Sequence, residues 1–521
     1  MKGKSTNVIS IALIVALGGL LMGFDASVIS GVVGFIETEF QLSKIELGWS
    51  VSSLTLTATL AMLLAGPLSD RIGRRRVLSW AAILYAVSAV GSALAPNFFF
   101  LVFARMIGGL GVGASLIIAP MYIAEISPAN MRGRLVSFNQ LNIVIGISLA
   151  FFTNYLILQW GKSDASWAQA LKFGAYNWRW MLGLETLPAV LYFFGLFFVP
   201  RSPRWLIMKG KFDEAVKIMA GFTSREQAEI DMKAVEESLE NQSEEKEQKG
   251  SFKDIFMPAM KLVLTIGVVI AVLQQITGIN SVFFYAPMIF EQSGIGTDAS
   301  FIQAIMVGLV NLVFTVLAIL FVDRLGRKPL LVYGVFGIAI CMFLLAYGFN
   351  SATYTLTDST IAAIENEEVR TRLKPLEGQL FDSDVEFKRA IEAGLGEQLV
   401  KENSSELISA AITMNPTLIL IGILGFVASF AISLGPVMWV LFSELFPNRI
   451  RGFAISFVGL INSGVSFLVQ LVFPWELDAL GSATTFLIYG VLAFFGFLFI
   501  VKVVPETKGK TLEELENQLT H

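Results

Sequence analysis

Twelve apolar runs, each close to the length needed to cross a bilayer, dominate this 521-residue sequence. A helical span needs about 20 predominantly apolar residues to traverse the hydrocarbon core. Runs of that kind lie at 8–33, 48–68, 77–95, 98–121, 135–157 and 178–199. They resume at 260–290, 302–322, 329–348, 414–441, 453–474 and 482–504. The expected fold is therefore an all-α membrane protein of twelve transmembrane helices, six and six. The first run is read as a span, not a cleaved leader, because it continues through Gly23, Asp25 and Gly31 without a clear small-residue cleavage site.

Composition agrees. Charged residues make up 15% of the chain, against roughly 25% in an ordinary soluble domain. The net charge of −4 gives no reason to expect a nucleic-acid partner. Cys341 is the single cysteine and His521 the single histidine. A disulfide framework, a thiolate metal cluster and histidine-based catalysis are all excluded on those counts. No nucleophile–base set is visible, and neither enzyme activity, a metal nor a cofactor is expected.

Positive charge orients the spans. Lys2 and Lys4 precede the first, Arg71, Arg74, Arg75 and Arg76 follow the second, and Arg132 and Arg134 follow the fourth. Arg324, Arg327 and Lys328 follow the eighth, and Arg449 and Arg451 the tenth. The alternate loops are poor in Lys and Arg, so both termini are expected in the cytoplasm of a cell-membrane protein. The domain reading is a six-helix bundle at 1–200, a charged helical linker at 201–259, a second bundle at 260–504 and a short tail at 505–521. The second bundle carries an acidic insertion at 349–411, expected outside the cell as a solvated helical cap.

The halves repeat one another. Gly66, Asp70, Arg71 and Arg74 after the second span answer to Asp323, Arg324 and Arg327 after the eighth. Glu125 with Arg132 after the fourth span answers to Glu444 with Arg451 after the tenth. Pro200-Arg-Ser-Pro ends the sixth span and Pro505-Glu-Thr the twelfth. Parallel six-span repeats around a central site are a transporter architecture. Gly66 and Asp70 lie one turn apart, so Gly66 is expected to permit close helix approach and Asp70 to sit at the cytoplasmic mouth. Arginine–carboxylate clusters here suit a latch between two conformational states.

The motifs Gly66–Arg75, Arg105-Met-Ile-Gly-Gly, Pro120-Met-Tyr-Ile-Ala-Glu125 and Arg132-Gly-Arg run through the first half. Pro200-Arg-Ser-Pro-Arg-Trp205, Gln274-Gln-Ile-Thr-Gly-Ile-Asn280, Asp323–Lys328, Gly435-Pro-Val-Met-Trp439 and Pro505-Glu-Thr-Lys-Gly follow in order. In this set, across nearly its whole length, the chain resembles the sugar porters of the major facilitator superfamily. Within that family it resembles the bacterial xylose–proton symporters and also the animal facilitative glucose transporters.

The residues support the same chemistry. Gln140, Gln274, Gln275, Asn280 and Asn462 are amides inside apolar spans. An amide both donates and accepts hydrogen bonds, which suits a ligand made of hydroxyls. Trp439 offers an apolar face to a sugar ring. Gln275 and Asn280 are five residues apart, about 140° around a regular helix, and cannot both face one ligand unless the helix breaks. Thr277–Gly278 is the expected break. The resemblance implies that Gln140, Gln274, Gln275, Asn280, Trp439 and Asn462 contact the sugar. It also marks departures: Ile147 for a glutamine, Phe284 for a tyrosine, Ser463 for a tryptophan and Met22 for a phenylalanine. These leave open whether the monosaccharide is a pentose or a hexose.

Asp25 lies inside the first span and Arg105 inside the fourth. A charge in the bilayer interior is costly enough to mark function or a permanent ion pair. Proton-coupled sugar porters have aspartate at the position of Asp25, where the facilitators are neutral. The resemblance thus implies proton coupling through Asp25 and Arg105, assisted by Glu185. A facilitative uniporter is the main alternative, with Asp25 as discriminator, and a transporter-like sugar receptor is the other. The carrier is expected to work as a monomer in the lipid bilayer.

Overall fold

The computed structural model describes residues 2–128, 131–222, 224–248, 252–447 and 450–508, and their side chains apart from 2–7, 239–248, 252–253 and 323. Among them are twelve helices long and apolar enough to cross a membrane. In the first half these are Val8–Gly31, Lys44–Ile72, Arg74–Ala93, Phe98–Ile126, Arg132–Gly161 and Asn177–Phe198. In the second they are Pro258–Phe284, Gly296–Val322, Arg327–Asn350, Pro416–Leu445, Arg451–Ala479 and Ser482–Val503. We number them spans 1 to 12. Most run past the apolar windows into charged residues, since a helix satisfies its own backbone wherever lipid or water surrounds it.

Two glycines turn the chain sharply between paired spans. Gly73 joins spans 2 and 3 with φ +97°, and Gly326 joins spans 8 and 9 with φ +93°. Only glycine adopts that region without strain. Each is also crowded: a Cβ on Gly73 would lie 3.3 Å from the Trp205 ring, and one on Gly326 2.7 Å from the Glu506 carboxylate.

Three spans are interrupted. Span 7 breaks at Thr277–Gly278, where Gly278 takes φ +88°. Span 10 breaks at Ser433 between Pro416–Ile432 and Leu434–Leu445. Pro436, just beyond, has no N–H to offer the carbonyl one turn back. Span 6 loosens at Leu184–Glu185.

The linker forms helices Pro203–Met208, Phe212–Ala220 and Arg225–Gln248. The insertion differs from the expected all-helical cap. It contains a three-stranded antiparallel sheet of Thr353–Thr355 (β1), Leu380–Phe381 (β2) and Ile412–Thr413 (β3), in the order β2-β1-β3. Tyr354 stacks on Phe387 at 5.3 Å, over a core with Ile391, Leu395 and Leu407. A segment with its own apolar core is a folded unit, which its acidic surface conceals in the sequence. Asp384 accepts from the Ser482 backbone N–H at the start of span 12 (2.9 Å). Lys401 donates to the Leu42 carbonyl in the first half (3.1 Å).

Candidate functional site

Spans 2 and 11 touch at their insertion-side ends. A Cβ on Gly48 would lie 1.9 Å from the Leu471 carbonyl oxygen. Trp49 meets Phe467 edge-to-face at 5.6 Å, and Thr55 donates to Gln470 (2.9 Å). Spans 5 and 8 meet through Ser148 on the Gly308 carbonyl (3.0 Å) and Lys162 on Asp298 (2.6 Å). Toward the linker side the same helices stand free: an added Cβ on Gly66, Gly133, Gly452 or Gly464 would meet nothing within 4 Å. The close helix approach expected at Gly66 is therefore not made in this structure, because spans 2 and 11 converge at their other ends. Any path between the halves is therefore closed on the insertion side.

The second half contributes a hydrogen-bonded set of amides. The break at Gly278 turns Asn280 back so that its Nδ2 donates to Gln275 Oε1 (2.8 Å) and to Ser466 (2.7 Å). Gln275 Nε2 donates to Gln274 Oε1 (3.1 Å) and Asn462 Oδ1 (3.2 Å). Asn462 Nδ2 donates to Gln274 Oε1 (2.7 Å) and the Ala271 carbonyl (2.9 Å). Gln274 Nε2 reaches the Leu434 carbonyl just past the break in span 10 (3.1 Å). Four of the six expected sugar contacts thus form one cluster across spans 7, 10 and 11. Gln140, on span 5, is exposed and is not hydrogen-bonded into that cluster. Trp439 is 46% exposed and packs edge-on to Phe442.

The sequence reading missed Ser466, Gln470 and Thr55. Ser466 and Gln470 follow Asn462 at four-residue steps, which places all three on one face of span 11. That spacing was the available signal.

The first half holds charge instead. Arg105 lies 3.5 Å from Asp25 Oδ1, each only 2% exposed, and its Nε donates to the Ser50 carbonyl (3.0 Å). Arg105 thereby ties span 4 to spans 1 and 2. Glu185 is buried close enough to both to feel their charges. Among the described residues, Asp25 Oδ2 and Glu185 Oε1 accept no hydrogen bond. Such oxygens are open to a proton.

The linker-side clusters are assembled within each half. Arg74 pairs with Glu125 (3.0 Å) and Asp70 (2.8 Å), and Ser202 donates to Glu125. In the second half Arg327 pairs with Glu444 (2.9 Å), and Thr507 donates to Glu444 (2.6 Å). Glu506 accepts from the Arg327 and Lys328 backbone N–H groups at the start of span 9 (3.1 Å each), where a helix N-terminus favours a carboxylate. Arg132 and Arg451 donate to the Ala124 and Phe446 carbonyls. Arg71 and Arg324 are exposed. The side chain of Asp323 lies outside the described residues.

The sequence profile of the family "Sugar (and other) transporter" matches residues 11–364 and 400–519. This chain belongs to that family, within the major facilitator superfamily. Its family relatives include the arabinose-proton symporter of Bacillus subtilis, 34% identical over 98% of this chain and 94% of that protein. The glucose transport protein of Synechocystis is 34% identical over 98% of this chain and 97% of its own length. Among solved structures, the inward-open xylose transporter XylE from E. coli is similar with a TM-score of 0.74, at 33% identity, covering 98% of this chain and 100% of that one. The family and these relatives are transporters.

Proposed function

We propose that this protein moves a neutral monosaccharide and a proton together across the cell membrane by alternating access. Both termini and the linker face the cytoplasm in this reading, in keeping with the Arg and Lys bias of those loops. The open side of the path is then the inward one. The observation that carries the proposal is the buried Asp25–Arg105 pair in a carrier whose opposite half presents clustered amides.

The chemistry follows from those groups. Asp25 takes a proton on Oδ2 when the path is open to the outside. Neutral Asp25 holds Arg105 less strongly, and Arg105 is also bonded to the Ser50 carbonyl on span 2, one of the helices that closes the outer side. Loss of the buried charge thus loosens a three-helix junction and lets the loaded carrier switch. Glu185 acts as an auxiliary acid, sharing the field of Arg105. Gln140, Gln274, Gln275, Asn280 and Asn462 bind the hydroxyls of the sugar, and Trp439 covers its apolar face. A charged substrate would need a buried counter-charge among these amides, and the cluster has none.

The relatives named for arabinose and glucose set the test panel. Uptake of labelled L-arabinose, D-xylose and D-glucose into proteoliposomes is measured with and without an inward proton gradient. Accumulation of one of them driven by the gradient is the expected result. Uptake indifferent to the gradient would identify a uniporter.

A further inference from the structure

The amides do not stop at the sugar cluster. Ser466 Oγ accepts from Asn280 Nδ2 (2.7 Å) and from Gln470 Nε2 (2.8 Å). Gln470, fully buried, accepts on its Oε1 from Thr55 Oγ1 in the other half (2.9 Å). One chain of hydrogen bonds therefore runs from Gln274 through Asn462, Gln275, Asn280, Ser466 and Gln470 to Thr55.

The donors along this chain are committed. Both Nδ2 hydrogens of Asn280 are used, as are both Nε2 hydrogens of Gln275 and both Nδ2 hydrogens of Asn462. A ligand hydroxyl that accepts from any of these groups must displace a bond already made. The displaced group has to find a new partner, since a buried amide left unpaired is costly. At the far end, the Thr55–Gln470 bond exists only while spans 2 and 11 are together. The chain therefore has one end at the sugar amides and the other at the outer gate.

We infer that Thr55 and Gln470 are positioning residues that couple sugar occupancy to closure of the outer gate, a role that rests on the sugar-transport reading above. Parting of the helices frees Gln470 Oε1 and releases the orientation of its amide. Ser466 then loses a fixed donor, and Asn280 is free to turn toward a ligand. Linkage requires the reverse as well: sugar that recruits Asn280 weakens the Thr55–Gln470 end.

Ser52 lies on span 2 between Gly48 and Thr55, fully buried in the closed gate. The test uses full-length protein in proteoliposomes, with Cys341→Ser and Ser52→Cys, and a membrane-impermeant maleimide added outside. Thr55→Val should raise the labelling rate without sugar by about five-fold, the population shift that one neutral hydrogen bond supports. Thr55→Ser, which keeps the hydroxyl, should restore the parental rate. In the parent, L-arabinose, D-xylose or D-glucose should raise the rate, and Thr55→Val should blunt that rise. Equal sugar-free rates in parent and Thr55→Val, each folded by its gel-filtration profile, would overturn the inference. A raised rate combined with no response to any panel sugar in the parent would retain the gate contact and reject the sugar end, pointing the fault at the substrate reading.

Discussion

The two halves of this protein share a frame and differ in what they bury. Each has a glycine-turned helix pair, an arginine that grips a glutamate, and a hydroxyl from the chain beyond the sixth span of that half on the same glutamate. These are Gly73, Arg74, Glu125 and Ser202 in one half and Gly326, Arg327, Glu444 and Thr507 in the other. Above that frame the first half buries Asp25, Arg105 and Glu185, and the second buries Gln274, Gln275 and Asn462 with Asn280 half-buried beside them. A carboxylate can change charge. An amide can only exchange partners. A duplicated scaffold has thus kept its structural clusters twice, while the first interior adds buried charge to its amides Asn139 and Asn154 and the second, among the described residues, buries amides without charge.

The largest effect expected from that contrast is at Asp25. Asp25→Asn should abolish uphill accumulation of sugar while exchange across the membrane continues. Accumulation by Asp25→Asn protein in the proteoliposome assay would break the division between a charged half and an amide half. Next comes Gln275→Leu, which leaves Asn280 and Asn462 with unmatched partners. Its half-saturation for the transported sugar should rise about ten-fold, read by counterflow, with the proton dependence of uptake unchanged.

The shared frame makes a third comparison. The Arg74–Glu125 pair is 5% and 7% exposed, and the Arg327–Glu444 pair 12% and 23%. Breaking a buried pair leaves an uncompensated charge and costs about 3–5 kcal/mol, whereas a better-solvated pair costs about 1 kcal/mol or less. Glu125→Gln should therefore lower the melting temperature in detergent more than Glu444→Gln. The opposite order would mean that the helix-terminal Glu506, not burial, sets the difference.

The smallest effect is outside the spans. Glu291 lines a cavity of about 390 Å³ where the insertion meets both halves, with Glu37, Lys44, Lys388, Glu392 and Asp478 around it. Burial pushes the Glu291 carboxyl up to about 7. A raised acid contributes stability that is fully present below its ordinary value of 4.5 and is lost as pH rises through about 7. Glu291→Gln should flatten that part of the pH dependence of the melting temperature.

Much of this was legible in the sequence. The spans follow from hydrophobic length and the arginine–carboxylate clusters from the repeat, but not their partners: the repeat sets Glu125 beside Arg132 and Glu444 beside Arg451, whereas Arg74 and Arg327 hold those glutamates. The break in span 7 followed from geometry once Gln275 and Asn280 were both taken, by resemblance, as contacts of one ligand, since they cannot share a face of an unbroken helix; Gly278 supplies it. Less legible was the break in span 10, although Gly435-Pro436 marks it. The sheet in the insertion was hidden because β2 and β3 are two residues each, too short to leave an alternation. The family profile passes over the residues between 364 and 400, most of the insertion's helical part.

The sequence by itself determined how many helices cross the membrane, which residues are too costly to bury without a purpose, and which repeat which. Those properties are local: length, charge and spacing survive without knowledge of neighbours. Only the tertiary structure decided that Thr55 meets Gln470, that Arg105 reaches Ser50 as well as Asp25, and that Gly66 faces open space while Gly48 is pressed against Leu471. Such contacts depend on which ends of spans 2 and 11 converge. The same sequence must converge them at either end during transport, so no residue pattern along the chain can choose between the two.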